Sequence, residues 1–165
     1  MTINADDFQV GDTVVYPAHG VGKINAIRAQ NIGGSEMRVF DITMIESGVK
    51  VMVPVGQNGL RRIIDKRAIT KIYKILKDRK TKVDTQTWNR RSREYSQKLK
   101  TGSLDEIARV LRDLYLLREE KELSFGEKQM LERAKCLLVS EVAIAKSRTE
   151  DKVQAELESF FENPN

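Results

Sequence analysis

The strand-like and helix-like segments of this 165-residue chain do not alternate. Up to residue 64 the apolar residues fall in short runs rich in Val, Ile, Phe and Tyr: Thr13 to Tyr16, Val21 to Arg28, Glu36 to Ile45, Val49 to Val55 and Leu60 to Ile64. Turn chemistry separates them, as in Pro17-Ala-His-Gly20, Gly33-Gly34 and Ser47-Gly48. Beyond that point the apolar residues recur at i, i+3, i+4 and i+7. Such segregation excludes a βαβ sheet and predicts an α+β chain of two segregated domains, residues 1–65 and 66–165, with the boundary near Asp65.

Five strands at this spacing suggest a small curled sheet or barrel. The second half reads as an all-α bundle of about five helices. The first begins at Asp65 and carries Ile69, Ile72, Tyr73 and Leu76 on one face. A basic link follows from Lys77 to Val83, and Asp84 or Thr85 caps a second helix that runs to about Thr101. Ser103-Leu-Asp-Glu106 and Ser124-Phe-Gly-Glu127 both match the capping box, so two more helices start there. The third buries Leu104, Ile107, Val110, Leu111, Leu114 and Leu117, and the fourth Met130, Leu131, Ala134, Leu137, Leu138 and Val142. Cys136, beside Leu137 on that apolar face, should react slowly with thiol reagents. A last helix starts near Glu150 with Val153, Leu157, Phe160 and Phe161.

Function classes fall away quickly. No apolar stretch approaches the roughly 18 residues needed to span a bilayer, and the start of the chain is acidic where a secretory signal would be basic and then apolar, so a cytoplasmic protein is expected. One cysteine and one histidine exclude an internal disulfide and a structural zinc set. There is no glycine-rich phosphate loop, HExxH or GxSxG, which points to a binding protein that is not an enzyme and needs no cofactor, metal or small-molecule substrate. Charge supplies the direction. Residues 69–101 hold 11 Lys and Arg against 3 Asp and Glu, a local balance more positive than the +5 of the whole chain. A polyanion such as nucleic acid is the partner this favours, although a solvated lysine-rich helix surface has the same composition.

Val49, Val51, Val53 and Val55 alternate and should share the buried face of one strand, which turns Met52 and Pro54 outward. Pro54 donates no backbone hydrogen bond and places the segment at a sheet edge. In the preceding strand Phe40, Ile42 and Met44 share parity, leaving Val39 on the opposite face. Val39 and Met52 are thus expected to form a small exposed apolar patch that could receive another protein's strand, unless the helical half covers it.

In the basic helix Trp88, Tyr95 and Leu99 fall within about 40° of one another, flanked by Arg91 and Lys98 on one side and Arg93 and Lys100 on the other. Trp88 is either the core anchor of this helix or an aromatic that projects past the core edge. In the second case it could wedge into a minor groove while neighbouring guanidinium groups hold phosphates.

Val10-Gly-Asp-Thr-Val-Val-Tyr-Pro17, His19-Gly20, Val51-Met-Val-Pro54, Trp88-Asn-Arg-Arg91, Leu111-Arg-Asp-Leu-Tyr115 and Leu123-Ser-Phe-Gly-Glu-Lys128 together resemble the CarD/CdnL family of bacterial transcription regulators, over nearly the whole chain and in order. The resemblance implies a Tudor-like (SH3-like) domain that docks on the RNA polymerase β subunit through a strand edge bearing Met52 and Pro54, with Val39 nearby. It implies that the helical domain contacts promoter DNA at the upstream fork of the melted region without reading sequence. There Trp88 would be the minor-groove wedge, with Arg90, Arg91 and Arg93 on phosphates, in a monomer that stabilises the open complex. One departure is Met52, where some members carry arginine. A freestanding architectural DNA-binding protein and an RNA- or ribosome-associated β module are the competing readings.

Overall fold

The computed structural model describes residues 8–17, 19–56, 59–79, 88–101 and 103–162. Between Ile63 and Ile64 the chain divides into two compact units.

The N-terminal unit is one antiparallel sheet of Tudor-like make-up: β1 (Thr13–Tyr16), β2 (Gly20–Ile32), β3 (Ser35–Met44), β4 (Lys50–Pro54) and β5 (Arg61–Arg62), in the order β4-β3-β2-β1-β5. β2 and β3 make a long hairpin in which Ile32 opposes Ser35. That register leaves Gly33 and Gly34 as a two-residue turn with φ of 61° and 85°, the primed geometry that matches strand twist and that glycine adopts without strain. A register shift between Ile24 and Ala26 adds a residue to β2 and bends it. Phe8, Val14, Ile24, Phe40, Ile42, Met44, Val53 and Leu60 fill the core, with the Phe8 and Phe40 rings edge to face at 6.1 Å. The valine alternation holds for Val53, which is buried, and for the half-buried Val51 and Val55. It fails at Val49, which lies before the first β4 residue at the end of the turn from β3: its carbonyl accepts from the Met44 amide at 2.9 Å, but its side chain is exposed.

Gly22 faces Met44 across the hairpin, and a Cβ built there would lie 2.5 Å from the Ile42 side chain and 3.3 Å from the Thr43 carbonyl oxygen. Gly22→Ala is therefore expected to destabilise the sheet by about 1 to 3 kcal/mol through overpacking. Chemical denaturation of the variant checks this, and an unchanged midpoint would show that the hairpin relaxes around the methyl group.

The C-terminal unit holds α1 (Lys66–Lys77), α2 (Trp88–Lys100), α3 (Leu104–Glu120), α4 (Phe125–Lys146) and α5 (Glu150–Glu162). The Asp65 side chain accepts from the Ala68 amide and starts α1. α3 is buried on most of its circumference and is the central helix against which α1, α2 and α4 pack. Tyr115 on α3 stacks on Phe161 of α5 at 4.1 Å. Of the two capping boxes only one forms. At α4 the Ser124 hydroxyl accepts from the Glu127 amide and the Glu127 carboxylate accepts from the Ser124 amide. The Ser103 side chain makes no such bond; its amide donates to the Thr101 hydroxyl at 3.3 Å, and the Glu106 carboxylate turns to Arg109 at 2.6 Å and towards Lys98 at 3.8 Å. Cys136 is exposed, against the expectation of a shielded thiol: it lies two positions from both Ala134 and Leu138, which turns it to the side of α4 away from that inward ridge. Among the described residues no helix is long and apolar enough to cross a membrane.

Candidate nucleic-acid and docking surfaces

The inward face of α2 differs from the expected one. Tyr95 and Leu99 are buried in the helical core, and the residue one turn before Tyr95 on that ridge is Arg91. Its side chain retains 7% exposure and meets the Glu127 carboxylate, which retains 1%, with Nη2 at 3.3 Å from Oε2. The other oxygen, Oε1, accepts from the Lys121 ammonium at 3.0 Å and from the Ser124 amide at 2.9 Å. A buried carboxylate thus serves α2, the turn before α4 and the first turn of α4 at once. Burial opposes its ionisation, but the Ser124 amide and the Lys121 ammonium outweigh that and hold its pKa down at about 2.

This corrects the expectation that Arg91 lies on a phosphate. Its guanidinium is turned inward and engaged by a carboxylate supplied 36 residues later, so its part is to fix α2 on the bundle. Arg90 and Arg93 are exposed. Arg90 stands in the first turn of α2, which contains no acidic residue, so its charge and the dipole of the helix N-terminus add with the same sign. Trp88 is the first residue of α2, and the reading of its side chain as wedge or core anchor lies outside the described residues.

A second aromatic was missed from sequence. Phe125, the first residue of α4, is 76% exposed, more than any other large hydrophobic described, and stands two positions before the carboxylate that holds Arg91. In sequence it is only part of the Ser124-Phe-Gly-Glu127 capping box. It follows the exposed capping serine, on the outer side of a first turn whose buried member is Glu127.

In the N-terminal unit β4 is an edge strand, paired among the described residues with β3 alone. Met52 is 54% exposed and Pro54 is exposed, on the face that parity assigns them. Val39 is not part of an exposed patch, because it retains only 1%. It does lie opposite Phe40 in parity, but it occupies the middle of the sheet with Arg28 of β2 and Pro54 of β4 directly opposite on its two sides. Those flanking side chains can shield what a single-strand reading leaves bare. Beside Met52, the Arg28 guanidinium pairs with Asp41 at 2.6 Å and approaches the Met52 sulfur at 3.7 Å. The exposed apolar residues nearest in sequence are Ile45 and Val49, on the turn into β4.

Two family models match in the order of the two units. Residues 8–66 match the CarD-like/TRCF RID domain and residues 71–158 the CarD C-terminal domain. The chain belongs to the CarD-like family of transcription factors. A family relative is YdeB of Bacillus subtilis (strain 168), named a candidate transcription factor, which is 33% identical over 151 residues that cover 90% of this chain and 98% of YdeB. In this CarD-family chain Met52 and Pro54 fall in the first matched region, the one of RNA-polymerase-interacting type, and Arg90, Arg91 and Arg93 in the second.

Proposed function

We propose that this protein regulates transcription initiation by docking on the RNA polymerase β subunit through the β4 edge while the start of α2 holds promoter DNA at the upstream fork of the open complex. The observation that carries this reading is the pairing of two surfaces in a CarD-family chain. One is an open strand edge bearing exposed Met52 and Pro54. The other is a helix whose first turn presents Arg90, with Arg93 one turn on, while Arg91 pins that helix to the bundle. Arg90 and Arg93 take backbone phosphates without regard to sequence. Trp88 supplies the wedge that fits a partly unstacked fork better than closed duplex. The protein acts as a cytoplasmic monomer and performs no catalysis.

The mechanism is differential binding: an interaction that favours the open state by about 1.4 kcal/mol shifts the open-to-closed ratio tenfold. Trp88→Ala is accordingly expected to shorten open-complex lifetime by about tenfold with polymerase binding unchanged. Promoter-melting kinetics with polymerase measures both. A strongly lowered unfolding midpoint with no selective effect on the open complex would make Trp88 a core residue and end the wedge reading.

A further inference from the structure

A second concentration of positive charge lines a groove of about 580 Å³ between α1 and the C-terminal end of α4, with none of the described α2 side chains in its walls. On the α1 side Lys66, Lys74 and Lys77 follow at spacings of eight and three, which places them along one ridge about 16 Å long at 1.5 Å rise per residue. The opposite wall carries Lys146, the last residue of α4, and Arg148.

The α4 wall is held in place. The Lys146 ammonium donates to the Tyr73 hydroxyl at 3.2 Å and pairs with Glu156 at 3.2 Å, and Arg148 approaches the same carboxylate at 3.7 Å. Tyr73 in turn packs edge to face on Phe160 at 5.3 Å, and the Lys77 ammonium lies over that Phe160 ring at 4.6 Å. Burial works against the charge on Lys146, but the bonds to Tyr73 and Glu156 outweigh it, so it stays protonated. Against five cations this network sets the single carboxylate of Glu156. Lys66 and Lys74 are exposed and make no ion pair among the described residues. Two uncommitted ammonium groups a little over two helical turns apart on one rigid helix, facing a fixed basic wall, suit a repeating anion better than a single one. The phosphates of a duplex recur every 3.4 Å of axis along each strand.

We propose that this groove is a second DNA-backbone site, which takes duplex phosphates on Lys66, Lys74 and Lys77 while α2 engages the fork. The inference rests on the reading of α2 as a DNA contact, and extends the footprint to a face formed by α1 and the end of α4.

The test uses the full chain and a fluorescent duplex, with anisotropy measured over a salt series. Each phosphate contact contributes about 0.9 to the slope of log K against log salt, so the double variant Lys66→Ala and Lys74→Ala should lose nearly two units of slope. Arg90→Ala with Arg93→Ala should lose a similar amount, and the four changes together should lose the sum. Melting temperature should not move for the lysine pair, since neither ammonium has an ion-pair partner among the described residues. If the arginine pair lowers the slope and the lysine pair does not, the groove proposal fails while the α2 reading stands. If neither pair changes it, both fail. If the lysine pair leaves DNA binding intact but abolishes binding of polyglutamate, the groove belongs to an acidic protein and the DNA assignment is overturned.

Discussion

Glu127→Ala is expected to lower the stability of the helical unit by about 3 to 5 kcal/mol, the usual cost of removing one partner from a buried ion pair. The attraction between Glu127 and Arg91 is not what makes this figure large. Arg91 remains buried when its counter-charge is gone, and an unpaired guanidinium in that position must be resolvated by pulling the first turns of α2 off the bundle. The Lys121 ammonium and the Ser124 amide lose their acceptor in the same step, so the capping box at α4 goes as well. Guanidinium unfolding followed by the helical circular dichroism signal gives the size. A loss under 1 kcal/mol would mean that water already reaches the pair. Glu127→Gln keeps the shape and removes the charge, and it adds a pH signature. The native carboxyl titrates at about 2 against an ordinary 4.5, so its folded pKa is depressed. The stability it contributes is present above pH 4.5 and is lost as pH falls from there towards 2. The native protein and the glutamine variant should differ at neutral pH and converge across that window. A difference that stayed constant down to pH 2 would assign the effect to shape and not to charge.

How far this architecture could be read from residues alone depends on the range of the interaction that decides each position. Strand and helix positions were legible because alternation and 3.6-residue spacing are local: Phe40, Ile42 and Val53 in the sheet, and Leu111, Leu114 and Leu138 in the bundle, are all buried as their periods require. Arg91 was misread because its partner is far away in sequence. Spacing placed it at the flank of an aromatic stripe, and nothing near it in the chain announces a carboxylate 36 residues on. Val39 failed for a related reason, since parity gives the face of a strand but the shielding comes from the strands on either side. The two capping boxes are identical as patterns, and they part at the serine amide: that of Ser124 donates to Glu127, whereas that of Ser103 donates to the Thr101 hydroxyl and Glu106 pairs with Arg109. Phe125 escaped notice for the opposite reason, because a local motif accounted for its neighbours and left its own exposure unremarked.

Docking should be lost in Met52→Glu, with polymerase affinity reduced at least about a hundredfold, which corresponds to roughly 2.7 kcal/mol. Met52 sits half exposed on an edge strand, so a glutamate there can keep its hydration in the isolated protein. Folding should therefore be preserved, within about 0.5 kcal/mol. The bound state is different. A partner strand laid along β4 would strip water from the new carboxylate, whose nearest cation is already committed to Asp41. Desolvating a charge without a dedicated partner costs several kcal/mol, more than the loss of a thioether contact alone would. Met52→Leu separates the two effects, because it keeps the apolar surface and adds no charge, and it should bind as the native protein does. Binding can be followed by co-purification of the full chain with the polymerase β subunit. Retention of the glutamate variant would place the docking surface elsewhere, with the exposed pair Ile45 and Val49 at the entrance to β4 the next surface to substitute.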